Sequence, residues 1–115
     1  MESQKPLVDR KVIVDLLYGD EDYISEFAVA SVESFSEFKV QFEKSLKKRD
    51  MENLRRAGHK IKPVAQMMKL EAVITMYETS KIMLEEGAAD ESIKNMVAKM
   101  NEYCTQLIKE LKQLQ

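Results

Sequence analysis

Glycine and proline interrupt a chain, and this one has only three glycines and two prolines in 115 residues. Sandwiches and barrels call for turn residues at roughly every eighth to twelfth position, so that scarcity excludes them and leaves a few long helices. With 44% hydrophobic and 33% charged residues, the chain can bury a core and solvate its exterior, and its length fits one domain over residues 1–115. The net charge of −2 gives no general attraction to nucleic acid or to anionic membranes. Cys104 is the sole cysteine; with no internal disulfide to make, a cytoplasmic location is expected. No apolar run reaches the ~18 residues of a membrane span, and the start lacks the apolar segment of a signal peptide, so neither membrane insertion nor export is expected.

Apolar spacing divides the chain into one short and four long helices. Val12, Ile13, Leu16 and Leu17 predict a short opening helix before Gly19, and Asp20 is placed to cap the next. There Ile24, Phe27, Ala28, Phe35, Phe38, Phe42 and Leu46 recur at three- and four-residue steps, an apolar seam ending near Lys48. Asp50 can cap a third helix whose seam is Leu54, Ala57, Gly58, Ile61, Ala65 and Met68, running towards Leu70. Val73, Met76, Tyr77, Ser80, Met83 and Leu84 define a fourth, ending at Gly87. Asp90 or Ser92 begins the last, with Ile93, Met96, Val97, Met100, Cys104, Leu107, Ile108 and Leu111 inside. Short connections favour antiparallel neighbours, so the expected fold is all-α, an antiparallel four-helix bundle with a short additional N-terminal helix. The methionines and Cys104 read as packing residues, not as metal ligands or a reactive thiol.

The single histidine lies off the third seam. At ~100° per residue, with Leu54 at zero, the seam residues cluster within about 60°, whereas His59 points near 140°, Arg55 near 100°, Lys62 near 80° and Gln66 near 120°. His59 therefore faces solvent among polar and basic neighbours. Lys62, three residues on, is close enough to meet an anion carried by the ring, and Gln66 can add a hydrogen-bond donor. Residues 44–69 hold nine basic side chains against Asp50 and Glu52, a local +7 in a chain of −2. Such a field suits an anionic group at His59.

Other chemistries lack their residues. A zinc or di-iron centre needs several converging ligands, and Arg56 stands where a Glu-x-x-His pair would place its carboxylate. No serine or cysteine adjoins His59 in sequence to form a nucleophile–base pair, and no glycine-rich loop is present to hold ATP phosphates. If phosphate reaches His59, another protein must deliver it.

The segment Arg56-Ala57-Gly58-His59-Lys60-Ile61-Lys62-Pro63 resembles the active motif of histidine-containing phosphotransfer (HPt) domains, usually His-x-Leu/Ile-Lys-Gly. The opening Asp15-Leu16-Leu17-Tyr18-Gly19-Asp20-Glu21-Asp22-Tyr23 and the approach from Asp50 to Leu54 are similarly placed. The resemblance implies a phosphorelay carrier whose His59 accepts a phosphoryl group from an aspartate of a response-regulator receiver domain and passes it to another receiver. Lys62 would offset phosphoryl charge, and Gln66 would hydrogen-bond it. Arg55, Val64 and Met67 would join the receiver contact. No cofactor is implied in this chain; magnesium is expected on the receiver. The implied partners are receiver domains and a hybrid sensor histidine kinase, met by a monomer with no role for nucleic acid or membrane.

This sequence departs from the family pattern at Pro63, Gln66 and Lys69, where glycine or a small residue is common. Pro63 has no amide for the His59 carbonyl, so a local kink or displaced carbonyl is expected. The alternative function is a helical interaction module that docks a receiver or kinase without taking phosphate.

Overall fold

A computed structural model describes residues 6–115. Among them the chain forms five helices and no strand: α1 (Arg10–Leu16), α2 (Glu21–Lys47), α3 (Met51–Met67), α4 (Glu71–Glu85) and α5 (Asp90–Lys112). No helix among the described residues is long and apolar enough to cross a membrane.

The starts of the first three helices follow from short acidic side chains. Asp9, Asp20 and Asp50 have extended backbones and accept from the free amides of Lys11, Tyr23 and Asn53 at 3.0, 3.1 and 3.1 Å. Each bond satisfies a donor that the helix itself leaves without a partner. α4 and α5 begin at Leu70 and Ala89 with no side-chain cap. Asp90 is instead the first helical residue of α5, where its charge complements the helix dipole.

Four helix ends repeat one hydrogen-bond pattern. After α1, α2, α3 and α4 the chain passes through a left-handed residue, respectively Tyr18, Arg49, Lys69 and Gly87, with φ of 57°, 56°, 57° and 66°. The residue after each donates to a carbonyl five positions back: Gly19 to Val14, Asp50 to Ser45, Leu70 to Ala65 and Ala88 to Met83, at 2.8 to 2.9 Å. This Schellman arrangement fills carbonyls that the helix cannot use and reverses the chain within a few residues. Only at Gly87 does the reversal residue lack a Cβ.

α2 packs against α3 and α5, α3 against α4, and α4 against α5. Inside lie Phe35, Phe42, Leu46, Leu54, Val73, Met100, Cys104, Leu107 and Leu111, all essentially without solvent contact. The aromatic end of the α2 seam departs from expectation, because Phe27 is only partly buried and flanks the core while Phe35, Phe38 and Phe42 enter it. Burial pushes the Cys104 thiol up to about 12, matching its reading as a small hydrophobe.

The segment before α1 is fastened to α5. The Leu7 and Val8 amides donate to the two Glu110 carboxylate oxygens at 3.1 and 2.8 Å, and Gln106 Nε2 donates to Oε2 at 2.8 Å. Partial burial raises the Glu110 carboxyl, but these three donors outweigh it and leave it below its ordinary value of 4.5.

Three outcomes follow. Lys69 adopts the left-handed conformation with no ion pair among the described residues, so Lys69→Gly should stabilise the fold by about 1 kcal/mol, seen as a higher urea midpoint at unchanged slope. Arg49→Gly should gain less, because Arg49 Nη2 also donates to the Ala88 carbonyl at 2.6 Å and Asp90 Oδ1 at 2.9 Å. As for Glu110, a depressed folded value means its contribution is complete above about pH 4.5 and disappears as pH falls through that lower value. Exchange protection of the Leu7 and Val8 amides should therefore fall in acid, and Glu110→Gln should remove that dependence.

Candidate functional site

α3 carries the site. Asp50 fixes its start twice, accepting from the Asn53 backbone amide and, at 2.6 Å, from the Asn53 side chain. From there Leu54, Ala57, Gly58, Ile61 and Ala65 face inward, and Met68 seals the end. His59, one residue beyond Gly58, is exposed on the outer face. α3 continues through Pro63 to Met67 without interruption, whereas a local break is what proline alone would favour. The His59 carbonyl still has no amide partner at Pro63, since proline carries no N–H.

His59 borders a shallow surface depression of about 570 Å³ with Met51, Glu52, Arg55, Arg56 and Lys60. Arg56 is engaged within its own helix, with Nη1 donating to Asn53 Oδ1 at 3.2 Å and Nη2 reaching Glu52 Oε2 at 3.3 Å. Lys60 Nζ crosses to Glu37 of α2 at 3.3 Å, over the groove of about 490 Å³ between α2 and α3. Arg55, one turn before His59, is exposed and forms no ion pair among the described residues. It is the cation of this depression left free to meet an incoming anion.

Lys62, set at about 80° by the helical wheel, is half-buried and engaged in an ion pair. Its Nζ lies 2.9 Å from Glu78 Oε2 on α4, and the Glu78 hydrogen bond and charge raise its pKa above the ordinary 10.5. The same contact, with a second from Lys81, holds Glu78 below its ordinary 4.5. Gln66 and Met67 are exposed, and Val64 is half-buried against the core. His59, Arg55, Gln66 and Met67 thus all reach the surface of α3, while Lys62 is turned towards α4.

The +7 counted along residues 44–69 is also smaller in three dimensions. Lys47, Arg49, Lys60 and Lys62 pair with Glu43, Asp90, Glu37 and Glu78, all from outside that segment. Lys44, Lys48, Arg55 and Lys69 have no such pair among the described residues. Glu43 lies one residue outside the counted segment on the helix of Lys47, and the other three acids come from elsewhere in the fold, where a linear count misses them.

Beneath the site, Gly58 meets the ring of Tyr77 from α4. A Cβ at position 58 would overlap that ring outright, so only glycine admits it at this separation. The Tyr77 hydroxyl donates to the Arg55 carbonyl at 3.5 Å, a long bond, and Lys81 Nζ lies 4.9 Å from the ring centroid. Both Gly58 and Tyr77 are legible as core residues from spacing. Their contact, and the Glu78 and Lys81 charges beside it, are not. The available hint is a glycine facing inward in mid-helix, a choice that costs about 1 kcal/mol unless something large needs the space.

Comparison with protein-family models, with curated protein sequences and with solved structures gives no match.

Gly58→Ala should destabilise the fold by about 1–2 kcal/mol, the overpacking cost exceeding the gain in helix propensity. In a Tyr77→Ala background the same substitution should be neutral or stabilising. Urea denaturation of the two single variants and the double variant measures this coupling.

Proposed function

We propose that this chain is a histidine phosphotransfer protein of a multistep phosphorelay, built as an antiparallel four-helix bundle with a short N-terminal helix. The observation that carries this reading is the position of His59: exposed on the outer face of α3, directly over a helix face closed by Leu54, Ala57, Gly58 and Ile61. A ring so placed can enter another protein's active site without disturbing its own core. Arg55 supports the reading as a cation with no ion pair among the described residues, bordering the same depression.

The reaction is a phosphoryl exchange between aspartate and imidazole. The lone pair of the unprotonated ring nitrogen forms the N–P bond while the P–O bond to a receiver aspartate breaks, and the aspartate leaves as a carboxylate with the bonding electrons. The imidazolium so formed loses the proton on its other nitrogen to water. Reversal onto a second receiver aspartate completes the relay. Magnesium and the remaining positioning groups belong to the receiver, and this chain contributes the nucleophile, cations beside it and a surface to dock on. Arg55, Lys62 and Gln66 would lie nearest the phosphoryl group, with Met67 and Val64 offering apolar contact beside it. Such a carrier would work in the cytoplasm, between a hybrid sensor kinase and a response regulator.

The test is incubation with a panel of phosphorylated receiver domains, following acid-labile label on this chain. Label should appear on the wild type and be abolished in His59→Gln, with thermal stability changed by no more than about 0.5 kcal/mol, as for an exposed side chain without core contacts. Equal labelling of the two would overturn the assignment of the acceptor. Receiver binding without any label would favour the interaction module instead.

A further inference from the structure

Glu78 occupies a position that the sequence motif around His59 does not contain. It bridges two lysines, with Oε2 2.9 Å from Lys62 Nζ and Oε1 3.0 Å from Lys81 Nζ. Lys81 is itself braced over the Tyr77 ring, and Tyr77 is lodged against Gly58, next to His59. His59 and Lys62 are one helical turn apart on α3, near enough for their side chains to meet. The lysine stem that reaches Glu78 on α4 therefore leaves α3 one turn from the imidazole.

We infer that Glu78 is a positioning residue of the His59 site, holding Lys62 on α4 while the ring is bare and yielding it when a phosphoryl group arrives. This rests on reading His59 as the phosphoacceptor. Lys62 then has two stations, and Glu78 restrains transfer by competing for it.

Charge sets the direction of the exchange. A protein-bound phosphoryl group carries about −1.5 to −2 at neutral pH, whereas Glu78 carries a single charge already divided between two lysines. Exposure sets its ease. The Lys62 and Glu78 side chains are 38% and 40% exposed, so water screens their attraction and the pair is weak enough to open. Lys62 is cationic at neutral pH at either station, and the Glu78 contact only adds to that preference. Lys81 gives the arrangement its second half, because Glu78 keeps a counter-ion after Lys62 has left. The covalent step is unchanged: the N–P bond forms and the P–O bond breaks as before, with Lys62 moving only as a charge.

Single-turnover loading of His59 is the test, from a labelled receiver and, in parallel, from phosphoramidate, which needs no docked partner. Glu78→Gln should load about 1.5- to 5-fold faster than wild type, the factor that an exposed ion pair supplies. Lys81→Met should load more slowly, since it leaves Glu78 to Lys62 alone. In a Lys62→Ala background Glu78→Gln should have no effect, and near 1 M salt the gap between Glu78→Gln and wild type should close. Loading of Glu78→Gln at or below the wild-type rate would overturn the role of Glu78 and leave the carrier function standing. An equal gain in the Lys62→Ala background would also overturn it, pointing to net charge alone. Failure of wild type and every variant to load from either donor would remove the acceptor assignment and this role together.

Discussion

One missing Cβ, at Gly58, sets the spacing of α3 and α4. Tyr77 fills the place that any other residue at position 58 would occupy, and its buried ring offsets the helix propensity that glycine gives up. Because side chains on neighbouring positions point in different directions, this core contact also arranges the surface. The residue after Gly58 is His59, turned to solvent. The residue after Tyr77 is Glu78, turned to Lys62. A pair of adjacent residues on each helix thereby couples packing to the surface: one member fixes the distance and the other turns an imidazole or a carboxylate outward.

The seam of α3 was legible in the sequence because helical periodicity depends only on the chain's own order. Leu54, Ala57, Gly58, Ile61, Ala65 and Met68 are buried and His59 is exposed, as the wheel requires. Asp20 and Asp50 were legible as caps for the same local reason. The partner of Lys62 was not, because Glu78 sits sixteen residues away on another helix and no spacing rule links the two. The helix reversals were half legible. Gly87 declares itself, but Arg49 and Lys69 adopt the same left-handed turn with side chains that ordinarily avoid it, and at those positions the closing hydrogen bonds override local preference.

The two helices flanking α3 treat its cations in a similar way. α2 supplies Glu37 to Lys60 and α4 supplies Glu78 to Lys62, so positive charge on either side of His59 is tethered to a neighbouring helix. Arg55 is not.

The order of helix contacts also bears on how the chain assembles. α2 with α3, α3 with α4 and α4 with α5 are each joined by a short reversal and can meet at little entropic cost, whereas α2 and α5 must close across two intervening helices. That seam is joined by Asn101 donating to Glu43 at 3.0 Å, while the other Asn101 side-chain atom, Oδ1, is buried without a partner, so its polar link is incomplete. Cys104 lies on the same face of α5, near enough to Lys39 of α2 for the lysine charge to act on its thiol. A thiol so buried and so weakly acidic reacts only when α5 lifts away. The lone cysteine is thus a native clock: its alkylation rate reports how often the seam between the long helices most distant in sequence comes apart.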